Sequence, residues 1–137
     1  MAENVRKCVE LVRAEDAGKP IYVWSDMFDP YHNAKKAGRY YLVKGDGPWY
    51  GSWHGLDKDV MIVNWNSDPG ERVASLKHFA ERGHRQILAG YYDGPVAAID
   101  GWLKDSRPFP GVCGVMYTTW QNQYRDLEAF GRQLLGR

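Results

Sequence analysis

Tryptophan, tyrosine and aspartate recur at four places where a short apolar run ends: Trp24-Ser25-Asp26, Asn64-Trp65-Asn66, Tyr91-Tyr92-Asp93 and Tyr117-Thr118-Thr119-Trp120. An aromatic ring beside a carboxylate is chemistry suited to a sugar. The apolar faces of the sugar ring lie on indole or phenol, and the hydroxyls donate to the carboxylate. Helical stretches separate the four runs. Strand–helix alternation calls for a parallel sheet, and ligands of such sheets sit at the carboxyl ends of the strands. Four strand–helix units make half of an eight-stranded barrel.

The elements that must position these residues follow from periodicity. Val5, Cys8, Val9 and Val12 are spaced i, i+3, i+4, i+7, which predicts an amphipathic helix over 3–16, ended by Gly18-Lys19-Pro20. Strands are expected over 21–24, 59–65, 86–92 and 111–117, each rich in β-branched or aromatic residues. Asp68-Pro69 opens a helix with Val73, Leu76, Phe79 and Ala80 as its apolar stripe, and Gly83 stops it. A helix from Pro95 carries Val96, Ile99 and Leu103. The last helix, over 121–135, presents Tyr124, Leu127, Phe130 and Leu134 to the sheet. Residues 33–58 are the longest irregular stretch. Within them 39–43 and 49–53 flank Lys44-Gly45-Asp46-Gly47-Pro48, which suggests a small hairpin. The expected fold is therefore α/β: one domain over 1–137, a (βα)4 half of a TIM barrel with an extra N-terminal helix, parallel strands and a hairpin insertion after the first strand. Continuous apolar strands fit a parallel sheet covered on its faces.

The chain of 137 residues is long enough for one real core, and aromatics at 14% are abundant. A net charge of +1 with scattered Lys and Arg gives no basis for nucleic-acid binding. Lys35, Lys36 and Arg39, the densest basic group, read as a solvated helix face. No apolar run is long enough for a membrane span, and the N-terminus lacks a secretion signal. A full-length chain would accordingly be cytoplasmic; otherwise a leader has gone with the rest of a longer protein. Cys8 and Cys113 lie on apolar patterns and are expected to be buried free thiols. His32, His54, His78 and His84 are expected at the surface, and no metal pattern is present. Gly45-x-Gly47 lies in a turn rather than between strand and helix, so no nucleotide cofactor is expected. A Gly-x-Ser-x-Gly nucleophile site is also absent from the sequence.

Taken in order, the strand ends resemble those in the C-terminal half of the catalytic barrel of the β-N-acetylhexosaminidase family of glycoside hydrolases. Trp24-Ser25-Asp26 is similar to the Trp-x-Asp/Glu that ends the family's fifth strand. Trp65 matches the Trp ending the sixth, and Tyr91-Tyr92-Asp93 matches the Tyr-x-Asp of the seventh. Trp120-Gln121-Asn122 resembles the Trp-x-Glu of the eighth, with Asn in place of Glu. The resemblance covers residues 3–135. It implies that Trp24, Trp65 and Trp120 wall a pocket for a terminal N-acetylhexosamine. It also implies that Tyr91 donates to the acetamido oxygen, that Asp93 bonds an outer ring hydroxyl, and that Asp26 and Asn122 add polar contacts. Asn122 bonds hydroxyls without a Glu's charge.

The same resemblance implies what is missing. The family hydrolyses with the substrate's own acetamido group as a participant, using an Asp-Glu pair after strand four, upstream of this chain. Glu15-Asp16 is an adjacent acidic pair, but it precedes the first strand and lies toward the amino ends, the wrong side for catalysis. The chain alone is therefore expected not to hydrolyse hexosaminides and to hold no catalytic residue. Three classes stay open: a carbohydrate-active half-domain without the acid, a dimeric enzyme pooling Asp26, Asp29 and Asp93, and an assembly unit without a ligand. Loop bonding and helix capping are the alternative roles of those three Asp residues. An isolated half-barrel exposes two strand edges and one sheet face. A homodimer completing a barrel would cure both; a flavodoxin-like sandwich with helices on both sides is the other remedy.

Overall fold

A computed structural model describes residues 1–37 and 47–136. Helix α1 (Ala2–Glu15) leads into strand β1 (Tyr22–Trp24), followed by 3₁₀ turns at Asp26–Phe28 and Ser52–Gly55. Then come β2 (Met61–Asn64), α2 (Pro69–Glu81), β3 (Gln86–Leu88), α3 (Ala98–Ser106), β4 (Val112–Val115) and α4 (Leu127–Leu135). The α/β class, the four parallel strands and their number match the expectation. The sheet order is β1-β2-β3-β4, with Val23 opposite Ile62, Ile62 opposite Gln86 and Gln86 opposite Val112. The order never reverses, so the sheet lacks the switch point of a doubly wound, flavodoxin-like arrangement.

Local chemistry explains the element boundaries. At the start of α2 the Asp68 carboxylate accepts from the Gly70 N–H at 2.8 Å, and Pro69 has no N–H to leave unpaired. Gly83, at φ 79°, turns the chain out of that helix. The last helix starts at Leu127 rather than 121. The polar run before it bonds to itself instead: the Tyr117 hydroxyl donates to the Gln123 carbonyl at 2.6 Å, and the Gln123 N–H donates to Thr119 Oγ1 at 2.9 Å. Tyr124 and Leu127, expected to face the sheet, are consequently exposed. The hairpin's first arm lies outside the described residues. Its second arm is not a strand, because 48–55 form a turn and a 3₁₀ helix. Lys35 and Lys36 lie in a loop rather than on a helix, Lys35 beside Glu71 at 3.6 Å; Arg39 lies outside the described residues.

All four helices contribute to one face of the sheet. Val9 of α1 and Val23 of β1 line a common groove. From α2, the Leu76 carbonyl accepts from Gln86 at 3.0 Å and Ser75 accepts from Asn64 at 3.0 Å. Leu76, Leu88, Tyr91, Ile99, Trp102 and Phe130 form the hydrophobic cluster under α2, α3 and α4. Arg72 of α2 ties this half together, paired with Asp105 of α3 and lying over the Trp102 ring. Gly90 sits so close to Trp102 that an added Cβ would stand 2.3 Å from the indole. Trp102 is 1% exposed and has nowhere to go. Gly90→Ala is expected to cost about 1–3 kcal/mol by overpacking, read as a lowered urea midpoint at unchanged slope.

Alternation puts Tyr22, Trp24, Met61, Val63 and Ile87 on the opposite face. Alternation from Val112, which packs on the helix side, puts Cys113 on that face too, with its Sγ 3.8 Å from Met61 Sδ. Both cysteines are free but exposed, contrary to the buried thiols expected. Cys8 lies at the lip of the groove beside β1, and Cys113 lies on the uncovered face. The histidines reverse in the other direction. His32, His78 and His84 are 2%, 7% and 3% exposed, and only His54 of the four is at the surface. Aromatic neighbours enclose His78 (Tyr31, Trp53 and Phe79), while His84 Nδ1 lies 3.1 Å from the Val60 carbonyl.

Candidate functional site

The loops after the strands bring four aromatic side chains and one imidazole into a single arc. Trp24 closes β1, and its ring centroid is 6.4 Å from that of Trp120, beyond β4. Trp120 is 6.2 Å from Tyr92, Tyr92 is 6.3 Å from Trp65 at an interplanar angle of 12°, and Trp65 is 4.6 Å from His32, edge to face. β1 and β4 are the outer strands, so the Trp24–Trp120 contact spans the sheet's full width at its carboxyl end. Trp24, Tyr92 and Trp120 are 42%, 49% and 64% exposed, a large apolar surface to leave in water.

Each ring is held from beneath. Ser25 is buried at the end of β1: its N–H donates to the Val63 carbonyl at 3.0 Å, and its Oγ accepts from the Trp65 N–H at 3.3 Å. The loop after β1 turns on Asp29, whose Oδ1 accepts from the Tyr31 N–H at 2.8 Å and whose carbonyl accepts from His32. Asp29 Oδ2 accepts from Asn66 at 3.2 Å, and Asn64, Ser75 and Gln86 continue the polar layer below. Burial pushes the Asp29 carboxyl up to about 6, against hydrogen bonds from Ser75, Tyr31 and Asn66 that favour the anion. Burial also holds His32 down at about 4, with Asp26 working the other way and Lys35 reinforcing the drop. His32 is therefore a neutral buttress against the edge of Trp65 at pH 7.

Asp93 fixes the far end of the arc. Its Oδ2 accepts from the Trp120 N–H at 2.6 Å and the Gln121 N–H at 3.0 Å. Burial works to raise its pKa, but the bonds from Thr119, Trp120 and Gln121 outweigh it and hold the carboxyl below its ordinary value. Asp93 and Asn122 both have positive φ, 49° and 55°, in the left-handed region that Asp and Asn tolerate best. The Asp93 carboxylate thus serves the loop that carries Trp120, the loop-bonding alternative for this residue. Asp26, half-buried, accepts from Asn33 Nδ2 at 3.0 Å beside the arc. Asn122, exposed, follows Trp120 by two residues.

Tyr91 lies elsewhere. It is 1% exposed, stacked on Tyr117 at 4.3 Å, with its hydroxyl donating to Asp126 at 3.0 Å and lying 3.3 Å from the Tyr117 hydroxyl, whose own proton goes to the Gln123 carbonyl. The bond with the Tyr117 hydroxyl, burial and the Asp126 carboxylate keep it protonated. In Tyr91-Tyr92-Asp93 the first tyrosine goes into the core and the second takes its place on the rim. Tyr92 and His32 are the arc members that sequence reasoning passed over. The Tyr-Tyr pair signalled that one ring points out, without saying which.

Among the described residues no group of three or more His, Cys, Asp or Glu could hold a metal ion, and no helix is long and apolar enough to cross a membrane. No protein-family model, curated protein or solved structure matches the chain.

Proposed function

We propose that the aromatic arc binds a saccharide bearing an N-acetylhexosamine unit, on a sheet that forms half of a TIM barrel. The observation that carries this reading is the convergence of exposed Trp24, Tyr92 and Trp120 with Trp65 at the carboxyl end of a parallel sheet. Sugar ring faces supply apolar C–H surface to such rings, while Asp26 and Asn122 stand beside the arc for the hydroxyls. Two sugar faces covering about 80 Å² of ring each correspond to about 4 kcal/mol at 25 cal/mol per Å², a ceiling that the cost of immobilising the sugar lowers, so stacking alone supports binding no tighter than ~1 mM. Tyr91 is left out of the binding surface, and Tyr92 enters it.

Binding proceeds without hydrolysis in this reading. The Glu15-Asp16 pair sits exposed at the end of α1, before β1 begins and away from the strands' carboxyl ends. His32 is buried and neutral, and the bonds to Asp93 hold its carboxyl below the ordinary value and so ionised, so neither serves as a general acid toward a sugar on the arc. The test is a titration with N-acetylglucosamine and its short oligomers, followed by tryptophan emission. A saturable blue shift at millimolar sugar is expected, with no nitrophenol released from an aryl N-acetylglucosaminide. Unchanged emission throughout would overturn the binding reading, and enzymatic release would overturn the inactive one.

A further inference from the structure

The sheet ends in two strands, β1 and β4, whose outer edges have no partner strand among the described residues. Its uncovered face carries Tyr22 and Trp24, 50% and 42% exposed, with Met61, Ile87 and Cys113 alongside. Parallel sheets are stable when covered on both faces, and open edges invite another strand. The two ends of the sheet are unlike each other and complementary. Beside β1 runs a groove of about 360 Å³, lined by Val5, Val9, Val12, Ile21 and Val23 among others. Beside β4, helix α4 leaves Leu127 and Leu135 49% and 87% exposed. One end is an apolar recess and the other an apolar ridge.

We infer that the occupant is a second copy of this chain. The β4 edge of each copy pairs with the β1 edge of the other, and α4 of each lies along the other's α1 groove. A two-fold axis running with the strands generates both contacts at once and keeps all strands parallel. Eight strands then form one ring with no free edge, and the uncovered faces become its interior. Both aromatic arcs open at the same end of that ring.

The test uses Val12→Glu and Leu135→Glu, positions 48% and 87% exposed in a single copy, whose change leaves each chain able to fold. All proteins carry Cys8→Ser, so that only Cys113 reacts with a thiol reagent. The parent is expected to sediment as a dimer at micromolar concentration, and both variants as monomers with the parent's circular dichroism. Cys113, enclosed in the ring, is expected to react about tenfold more slowly in the dimer than in either variant, because thiol reactivity follows access. A monomeric parent, variants that stay dimeric, or a dimer whose Cys113 reacts at the monomer rate would each overturn the inference. Sedimentation and thiol kinetics involve no sugar, so the assembly and the saccharide reading fail separately.

Discussion

Trp120→Ala is expected to weaken saccharide binding about thirtyfold while leaving the fold unchanged. Trp120 is 64% exposed and stands between Trp24 and Tyr92, so its removal opens the middle of the arc. Losing about 80 Å² of stacked surface corresponds to about 2 kcal/mol, which is that thirtyfold change. Tyr91→Phe is the informative contrast. Tyr91 bonds Asp126 and Tyr117 inside the core, so its change should reduce stability by about 1 kcal/mol and leave affinity alone. Fluorescence titrations of both variants, with urea melts in parallel, decide the matter. Loss of affinity at Tyr91 with none at Trp120 would move the binding surface away from the arc.

Acid is expected to begin destabilising this protein above the pH at which most carboxylates protonate. His32 and His78 are held down to about 4 and about 3. For His78 the causes are burial first, then Arg82, His84 and His54, against the Phe28 carbonyl. In the unfolded chain both bind protons near pH 6.5. Their contribution is therefore complete above that value and falls away as the pH drops toward 4. Asp29 works in the opposite sense: raised to about 6, it binds its proton more readily in the folded state, so stability from this group grows between pH 6 and 4. Two histidines outweigh one aspartate, and a net loss on the order of 2 kcal/mol is expected from pH 6.5 to 4. Urea midpoints across that range check it. His78→Phe, which keeps a ring of similar shape, should remove most of the slope, because His32 alone then nearly balances Asp29; a parent midpoint that rises on acidification would show that Asp29 dominates.

Parallel strands, their number and the start of α2 were legible in the sequence because each has a local cause. Apolar runs of β-branched residues at strand–helix spacing gave the sheet, and Asp68-Pro69 gave the helix start. The aromatic strand ends Trp24, Trp65 and Trp120 were legible for the same reason. What could not be read depends on which way a residue faces in the folded chain. Tyr91 and Tyr92 are chemically alike, and only the register after β3 sends one inward and the other out. Cys113 lies in an apolar run that would be buried in a sheet covered on both faces, but here it points, by alternation from Val112, to the face that no helix covers. His32 sits in a polar loop and His78 near the end of a helix, yet the folded loop after β1 and the aromatic residues around it enclose them.

The hydrophobic cluster has a further consequence. Its members run from Leu76 to Leu134, and neither α1 nor β1 supplies any of them. Trp120 extends from the half that holds this cluster, whereas Trp24 extends from a strand bordered by a partly open groove. Local opening should begin on the Trp24 side, since regions with fewer buried apolar contacts open at lower free energy. A sugar lying across both indoles would act as a staple between the firm and yielding halves, so occupancy and rigidity would rise together.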